Sequence, residues 1–225
     1  MLADVPMPPA IAARPRDARG YPVPAITPWT DGLPQFGVTS VERTFLCAVD
    51  RRCSICATVL PPGPVWRVVG EAEAEAIATA IASGRSFRNT APTAEAPGHR
   101  VCMLYAAMVC PYLSRPTARR GAPGAAPGIE IVKGTRRGSG GAVVGHRAYD
   151  FTFTDTGGVL FRFDDVIEFL PHEVGAEHAA ELREAIARAG RETDTQPDGE
   201  APPYLLADDR AAVRAFAAWR QQLLG

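Results

Sequence analysis

The chain has 225 residues, of which 46% are hydrophobic and 22% charged, a balance typical of a folded protein with its own core. Its formal net charge of −1 excludes recruitment of nucleic acid or anionic membrane by an overall field. No stretch approaches the roughly 18 apolar residues of a membrane span, and the N-terminus lacks a signal-peptide pattern, so we expect a cytoplasmic protein.

The N-terminal half combines a proline-rich start with helical patterns. Eight prolines fall in residues 1–37, which predicts an extended arm. Ser40 is placed to cap a first helix. A second helix is expected over residues 71–83, where glutamates occupy the first turn and Gly84 ends it. A third helix should carry His99 and end before the next proline.

The second half has a different pattern. Residues 114–128 are rich in Gly, Pro and Ala without an apolar period, which indicates a linker or loop. Within residues 129–190, aromatic and polar positions alternate on both sides of a turn at 155–158, which predicts an antiparallel hairpin with one aromatic face. A helix is expected after this hairpin. An amphipathic helix is expected within residues 204–225.

Four potential metal ligands occur in two pairs. Cys53 and Cys56 form a Cys-x-x-Cys, and after 42 intervening residues His99 and Cys102 form a His-x-x-Cys at the start of the third helix. Two thiolates at this spacing can bend around one tetrahedral ion, and side chains three apart on a helix share a face. The pattern predicts a structural Zn²⁺ site in the helical region 38–113.

Other interpretations of these cysteines stay open. The site could be an open catalytic metal centre, or the thiols could be buried or redox-active without metal. Cys110 could replace His99 in the ligand set. Otherwise we expect Cys47 and Cys110 to be core residues.

These patterns predict an α+β fold. A helical N-terminal half with a zinc knuckle packs on a small antiparallel sheet with C-terminal helices. The knuckle, the intervening chain and the ligands from a helix's first turn resemble the treble-clef type of zinc site. The intervening 42 residues are longer than in most such modules, and the acidic helix would fill them as an insertion.

A wider resemblance rests on four segments: residues 30–36, the Cys53–Cys56 pair, residues 99–113 with their Cys-Pro-aromatic-Leu ending, and residues 158–163. Over roughly residues 21–190 they are similar to a family of uncharacterised proteins from actinobacteria and their phages. This resemblance implies a shared fold and zinc binding, and it implies no activity.

Charge is distributed unevenly. Residues 111–147 carry a net charge of +6 and residues 148–225 one of −8. Only one of the 24 basic residues is lysine, which we attribute to the composition of a GC-rich genome and not to arginine chemistry. The basic segment is expected either to lie solvated or neutralised within the fold, or to meet an acidic or phosphate-bearing partner, nucleic acid included, through Arg115, Arg119, Arg120, Lys133, Arg136 and Arg137.

Signatures of catalysis are missing from the sequence. His172 and His178 do not have zincin spacing. Asp164 and Asp165 could pair for metal or acid–base work, but we expect them to cap a helix. The principal expectation is a zinc-stabilised binding or accessory protein of unknown partner. The alternative is an enzyme of specialised metabolism, whose pocket between the zinc-bearing half and the aromatic hairpin would contain Tyr112, Arg136, Arg137, His146 and Tyr149.

Overall fold

The computed structural model describes residues 5–87, 89–110, 124–126, 129–131, 141–155, 158–171, 177–189, 200–207 and 209–224. The helices in this part are α1 (Pro9–Ala12), α2 (Val41–Val49), α3 (Glu71–Ala82), α4 (Arg100–Val109), α5 (Glu177–Ala189) and α6 (Asp209–Leu224), with a 3₁₀ turn at Pro203–Leu205. The strands are β1 (Trp29–Thr30), β2 (Leu33–Pro34), β3 (Val65–Gly70), β4 (Asn89–Thr93), β5 (Gly124–Ala126), β6 (Ile129–Ile131), β7 (Gly141–His146), β8 (Tyr149–Phe153), β9 (Val159–Phe163) and β10 (Val166–Pro171). All their pairings are antiparallel, which confirms the predicted α+β class.

The first three-stranded sheet has the order β10-β7-β3, and its central strand is buried on both faces. Val143 faces the main core, where α4 packs on β3 and β7. Ala142 and Val144 face the other way and pack with Val69 and Ile77 beneath α3. Because helices cover both sides of this sheet, β7 is apolar along most of its length instead of alternating.

The second three-stranded sheet, β4-β9-β8, contains the predicted hairpin. In it Tyr149 pairs with Phe163 and Phe151 with Phe161, and the two rings of β9 are fully buried. Helix α2 packs on β9, and its Phe45 ring stacks on that of Phe153 with centroids 4.7 Å apart. Helix α6 also packs against α2, and its Phe216 ring meets the Phe45 ring edge-on at a centroid distance of 4.9 Å.

The helix boundaries follow the sequence signals. Ser40 caps α2 by accepting a hydrogen bond from the amide of Arg43 at 3.2 Å. Helix α3 begins with Glu71 and ends before Gly84, whose φ of +66° is in the left-handed region that glycine adopts without strain. These two features confirm the predicted start of the first helix and the predicted end of the second.

The prediction of a helix after Asp164 and Asp165 is wrong. The run that follows them forms strand β10, which pairs with β7, and the carboxylate of Asp164 accepts a hydrogen bond from the amide of Ala148 at 2.7 Å. Val166, Ile167 and Phe169 are β-branched or aromatic, so they favour a pleated strand once a sheet edge is available. Aspartate at a turn and aspartate at a helix cap are not distinguishable from the local sequence.

The N-terminal segment, predicted as an extended arm over residues 1–37, contributes to the core. Ile11, Val23 and Ala25 are fully buried, and the amide of Ala25 donates to the carbonyl of Ile55 at 3.0 Å. The predicted linker or loop 114–128 lies outside the described residues except for β5, which pairs with β6.

Gly145 allows a side chain to cross the central strand. Trp66 on β3 and Glu168 on β10 are both register partners of Gly145 on β7. The Trp66 indole N–H donates to Glu168 Oε2 at 2.7 Å, over the space where a side chain of residue 145 would lie. A Cβ there would lie 2.5 Å from the indole nitrogen and 3.1 Å from the Glu168 Cβ.

We therefore predict that Gly145→Ala destabilises the fold by about 1–3 kcal/mol, since overpacking displaces Trp66 and breaks its hydrogen bond. Urea unfolding of the purified protein measures this change. Gly70→Ala is the matched control in the same sheet, because a Cβ at Gly70 meets nothing within 4 Å. Equal stability of the two variants would contradict the account.

Candidate metal centre

A tight knuckle positions Cys53 and Cys56. It lies between Arg52 and Val59, which form an antiparallel bridge. Within it the amide of Cys53 donates to the carbonyl of Thr58, and the amide of Ala57 donates to the carbonyl of Cys53, both at 2.9 Å. Ala57 has a φ of +68°, a strained conformation for a residue with a Cβ. The surrounding contacts hold this turn so that both thiols point inward.

The second pair comes from the start of α4. His99 is the N-cap residue and Cys102 lies in the first turn, where the helix dipole favours a thiolate. Gly98 exchanges two backbone hydrogen bonds of 2.9 Å with Trp66, so strand β3 fixes the point at which the helix begins. A Cβ at Gly98 would lie 3.0 Å from the sulfur of Cys53 and 2.4 Å from Cε of Met103. A side chain here would displace the end of Met103 and press on the Cys53 sulfur, so glycine favours this close approach.

The predicted ligands come together. One donor atom each from Cys53, Cys56, His99 and Cys102 lie within 4.8 Å of one another, and all four residues are buried. His99 Nδ1 is 3.5 Å from the sulfur of Cys56 and 3.9 Å from that of Cys102. Zn–S bonds of about 2.3 Å and Zn–N bonds of about 2.0 Å would place tetrahedral S and N donors about 3.5 Å apart. The separation of His99 Nδ1 and Cys56 Sγ matches this spacing, and all four donors lie close enough together to hold a metal ion.

Neighbouring groups set the orientation of the ligands. His99 Nε2 donates to the carbonyl of Val59 at 3.0 Å, so in the neutral imidazole, the form that ligates a metal, the lone pair of Nδ1 faces the thiols. The hydroxyl of Thr58 lies 3.2 Å from the sulfur of Cys56 and donates to it when that sulfur is a thiolate. Both contacts come from the end of the knuckle, Thr58 and Val59, so one segment orients ligands of both pairs.

The four groups are strongly coupled without metal. Burial favours neutral His99, but the charge of Cys53 and hydrogen bonds to the thiols outweigh it and raise the pKa of His99 to about 10. Burial also opposes ionisation of Cys53, yet hydrogen bonds from Cys102 and Cys56 and the His99 charge bring the pKa of Cys53 well below its ordinary value. Hydrogen bonding to Cys53 and Cys56, with burial, raises the pKa of Cys102. These shifts favour an imidazolium beside a thiolate in the metal-free centre.

The remaining cysteines lie outside this cluster. Cys110 ends α4 and is half-buried, and His99, not Cys110, lies among the three thiols. Cys47 on α2 is buried, and burial raises the pKa of its thiol, as expected for a core residue. All five cysteines are free thiols.

Two of the residues predicted for an enzymatic pocket are described. His146 is fully buried; its Nδ1 donates to the carbonyl of Asp164 at 2.9 Å and its Nε2 accepts from Arg67 Nε at 3.4 Å. Tyr149 is buried under the guanidinium of Arg51, 4.9 Å from its ring centroid. Tyr112, Arg136 and Arg137 lie outside the described residues, as do Arg115, Arg119, Arg120 and Lys133 of the basic segment.

Buried arginines are the important residues that the sequence analysis missed. Arg67 is 1% exposed, lies 4.7 Å from the ring centroid of Phe163 and pairs with Glu73 and Glu95. Arg100, half-buried beside His99, pairs with Glu168 at 2.7 Å. No local signal separates these arginines from the many exposed ones, since their partners are distant in sequence or on other elements.

Comparison of the chain with protein families, with curated proteins and with solved structures found no match. None of the described helices is long and apolar enough to cross a bilayer.

Metal binding at about pH 7 should release at least two protons per ion, one from His99 and one from Cys102, because both are protonated in the metal-free centre and both must lose a proton to ligate. Calorimetric titration with Zn²⁺ in buffers of different ionisation enthalpy measures this number. Affinity should accordingly fall as the pH falls. Release of one proton or none would contradict the coupling described above.

His146 should make stability depend on pH. Burial above all, with the charge of Arg67, lowers the pKa of His146 to about 4, although the hydrogen bond to the Asp164 carbonyl acts to raise it. Between about pH 6.5 and pH 4 this histidine is protonated in the unfolded chain but not in the folded chain. The free energy of unfolding therefore decreases by up to about 3 kcal/mol as the pH is lowered through this range. In urea unfolding, His146→Gln should reduce the loss between pH 7 and pH 4.5. An identical loss in both proteins would contradict this assignment.

Proposed function

We propose that this chain is a zinc-stabilised cytoplasmic binding or accessory protein. Zn²⁺, held by Cys53, Cys56, His99 and Cys102, would serve as its structural cofactor. A single observation carries the proposal: four buried donors, three of sulfur and one of imidazole nitrogen, lie within 4.8 Å of one another. The donors come from two segments that only the tertiary fold brings together. The ion would therefore link separate parts of the fold and not residues of a single loop.

Zinc is the metal that this donor set favours. Thiolate and imidazole together suit Zn²⁺, which has no preferred geometry of its own and accepts the tetrahedral arrangement that the knuckle and helix provide. Such sites contribute about 10 kcal/mol or more of apparent binding free energy to folding. This contribution supports a role in stability for a region where loops and short elements surround the centre.

A structural role fits the site better than a catalytic one. Four protein ligands saturate a tetrahedral ion and leave no position for water or substrate, which a hydrolytic zinc requires. The three ligand cysteines are 0% exposed and His99 is 4% exposed, so the ion would lie away from solvent. Binding to a partner would then involve other surfaces, which the metal holds in place.

The free thiols support the proposed location. Five unpaired cysteines, three of them metal ligands, fit a reducing compartment better than an oxidising one. The relationship to actinobacterial and phage proteins is likewise part of the proposal, supported by the residue patterns of the knuckle and α4.

Zinc content tests the proposal. The purified protein should contain about one zinc per chain, while Cys53→Ser and His99→Ala should contain less than about half an equivalent and melt at a clearly lower temperature. Cys110→Ser is the matched control, since this half-buried thiol lies outside the cluster, and it should retain full zinc. Wild-type protein without zinc, or ligand variants that melt normally, would overturn the proposal.

Cobalt substitution separates the structural role from a catalytic one. A Co²⁺-loaded centre should show the intense visible bands of tetrahedral coordination and charge-transfer bands from thiolate. Because no coordination position is open, added azide should leave the spectrum unchanged. A spectrum that shifts with added anion would indicate an exchangeable position and favour the enzymatic alternative.

A further inference from the structure

Ser54 is a polar residue buried inside the knuckle. It lies between the candidate ligands Cys53 and Cys56 and is 2% exposed. Its Oγ donates a hydrogen bond to the carbonyl of Ala96 at 3.2 Å, and its amide donates to the carbonyl of Pro97 at 3.0 Å. One residue of the knuckle therefore binds, through two hydrogen bonds, the chain that leads to the second pair of ligands.

The two carbonyls that Ser54 binds lie directly before that second pair. Ala96 and Pro97 are both buried, and Gly98 and the candidate ligand His99 follow at once. Buried backbone carbonyls require hydrogen-bond donors, and Ser54 supplies one to each. The contact thus joins the knuckle to the chain within three residues of His99.

Strand β3 holds the same segment at its two ends. Arg67 pairs with Glu95 at 2.7 Å, and Trp66 exchanges two backbone hydrogen bonds with Gly98. The residues between these two anchors are the ones that Ser54 binds. The sheet therefore sets the course of the segment, and Ser54 sets its distance from the two thiols of the knuckle.

Bringing the four donors together has a conformational cost. An ion that had to draw two separate segments together would lose part of its binding free energy to their ordering, whereas a site ordered in advance binds more tightly. The hydrogen bonds of Ser54 join protein groups only, so they form without a metal ion. They order the two segments relative to each other before the ion binds.

We infer that Ser54 is a positioning residue that holds the two ligand pairs together and thereby raises the affinity of the centre for Zn²⁺. This inference rests on the proposed zinc site. The hydroxyl and amide of Ser54 bind Ala96 and Pro97, and its carbonyl accepts from the amide of Ile26 at 3.3 Å. Because these polar groups are engaged elsewhere, Ser54 acts on the metal through the chain that carries the ligands.

The zinc affinity of Ser54→Ala tests the inference. This variant lacks the hydrogen bond to Ala96 and should bind Zn²⁺ about fivefold more weakly, the factor that corresponds to one net hydrogen bond. Competition with a chelator gives the affinity. The rate at which the loaded protein yields zinc to the chelator should rise by a similar factor, and this rate does not require that the metal-free protein stays folded.

Ser40→Ala is the matched control. Ser40 is also buried, but its hydroxyl caps α2, where it contacts Glu42 and the amide of Arg43. The control therefore also loses hydrogen bonds of a buried serine, yet it should bind and release zinc as the wild type does. A merely structural role of Ser54 would give the two variants the same zinc affinity and the same release rate.

The cobalt spectrum distinguishes positioning from ligation. Co²⁺-loaded Ser54→Ala should keep the thiolate charge-transfer bands of the wild type at the same wavelengths, because its four ligands are unchanged. Shifted bands would mean that Ser54 alters the coordination itself, and they would overturn the positioning role.

The outcomes separate the inference from the zinc proposal on which it rests. Wild-type affinity and release rate in Ser54→Ala, or equal losses in Ser54→Ala and Ser40→Ala, overturn the inference while the zinc site stands. Wild-type protein that binds no zinc overturns both. If Ser54→Ala fails to fold, Ser54→Thr and Ser54→Val decide, since these two side chains have the same shape and differ in the hydroxyl. Ser54→Val should then bind about fivefold more weakly than Ser54→Thr, and equal affinities would contradict the inference.

Discussion

The structure depends on one constraint: three buried thiols and an imidazole must share a space less than 5 Å across, and they come from segments separated by 42 residues. Without a cation, such a cluster holds coupled protons and an imidazolium–thiolate pair in a medium that disfavours charge. A divalent ion at the proposed site would resolve the conflict by replacing those protons. The four groups then become the point at which the knuckle, strand β3 and helix α4 meet.

Much of the surrounding architecture positions those segments. Gly98 has no side chain, so α4 can begin against the sulfur of Cys53, and its backbone bonds to Trp66 tie that beginning to the central sheet. On the same sheet Gly145 gives the Trp66 indole room to reach Glu168. Glu168 in turn holds Arg100, the residue after ligand His99. Two glycines and one carboxylate thus connect the central sheet to the segment that carries His99 and Cys102.

The sequence predicted the features that depend on short spacings. Cys-x-x-Cys and His-x-x-Cys specify a local turn and a helical face, and Ser40 and Gly84 mark helix ends, so the clustering of the four potential ligands and one boundary of each of two helices could be identified in advance. The strand after Asp165 was missed because its partner β7 lies about twenty residues earlier and local signals favoured a cap. The burial of Arg14, Arg43 and Arg67 was not predicted for a related reason: the groups that their guanidinium groups contact lie on other elements. The GC-rich composition also suggested that the arginine positions had no structural meaning.

X-ray absorption at the zinc edge of the purified, loaded protein tests the central claim most directly. The account predicts three sulfur donors at about 2.3 Å and one imidazole nitrogen at about 2.0 Å, with the multiple-scattering features of histidine. In His99→Ala the nitrogen should disappear or be replaced by a solvent oxygen. Four sulfurs would mean that Cys110 replaces His99, and a shell dominated by oxygen would mean that the buried cluster is not the metal site. Either result would contradict the account.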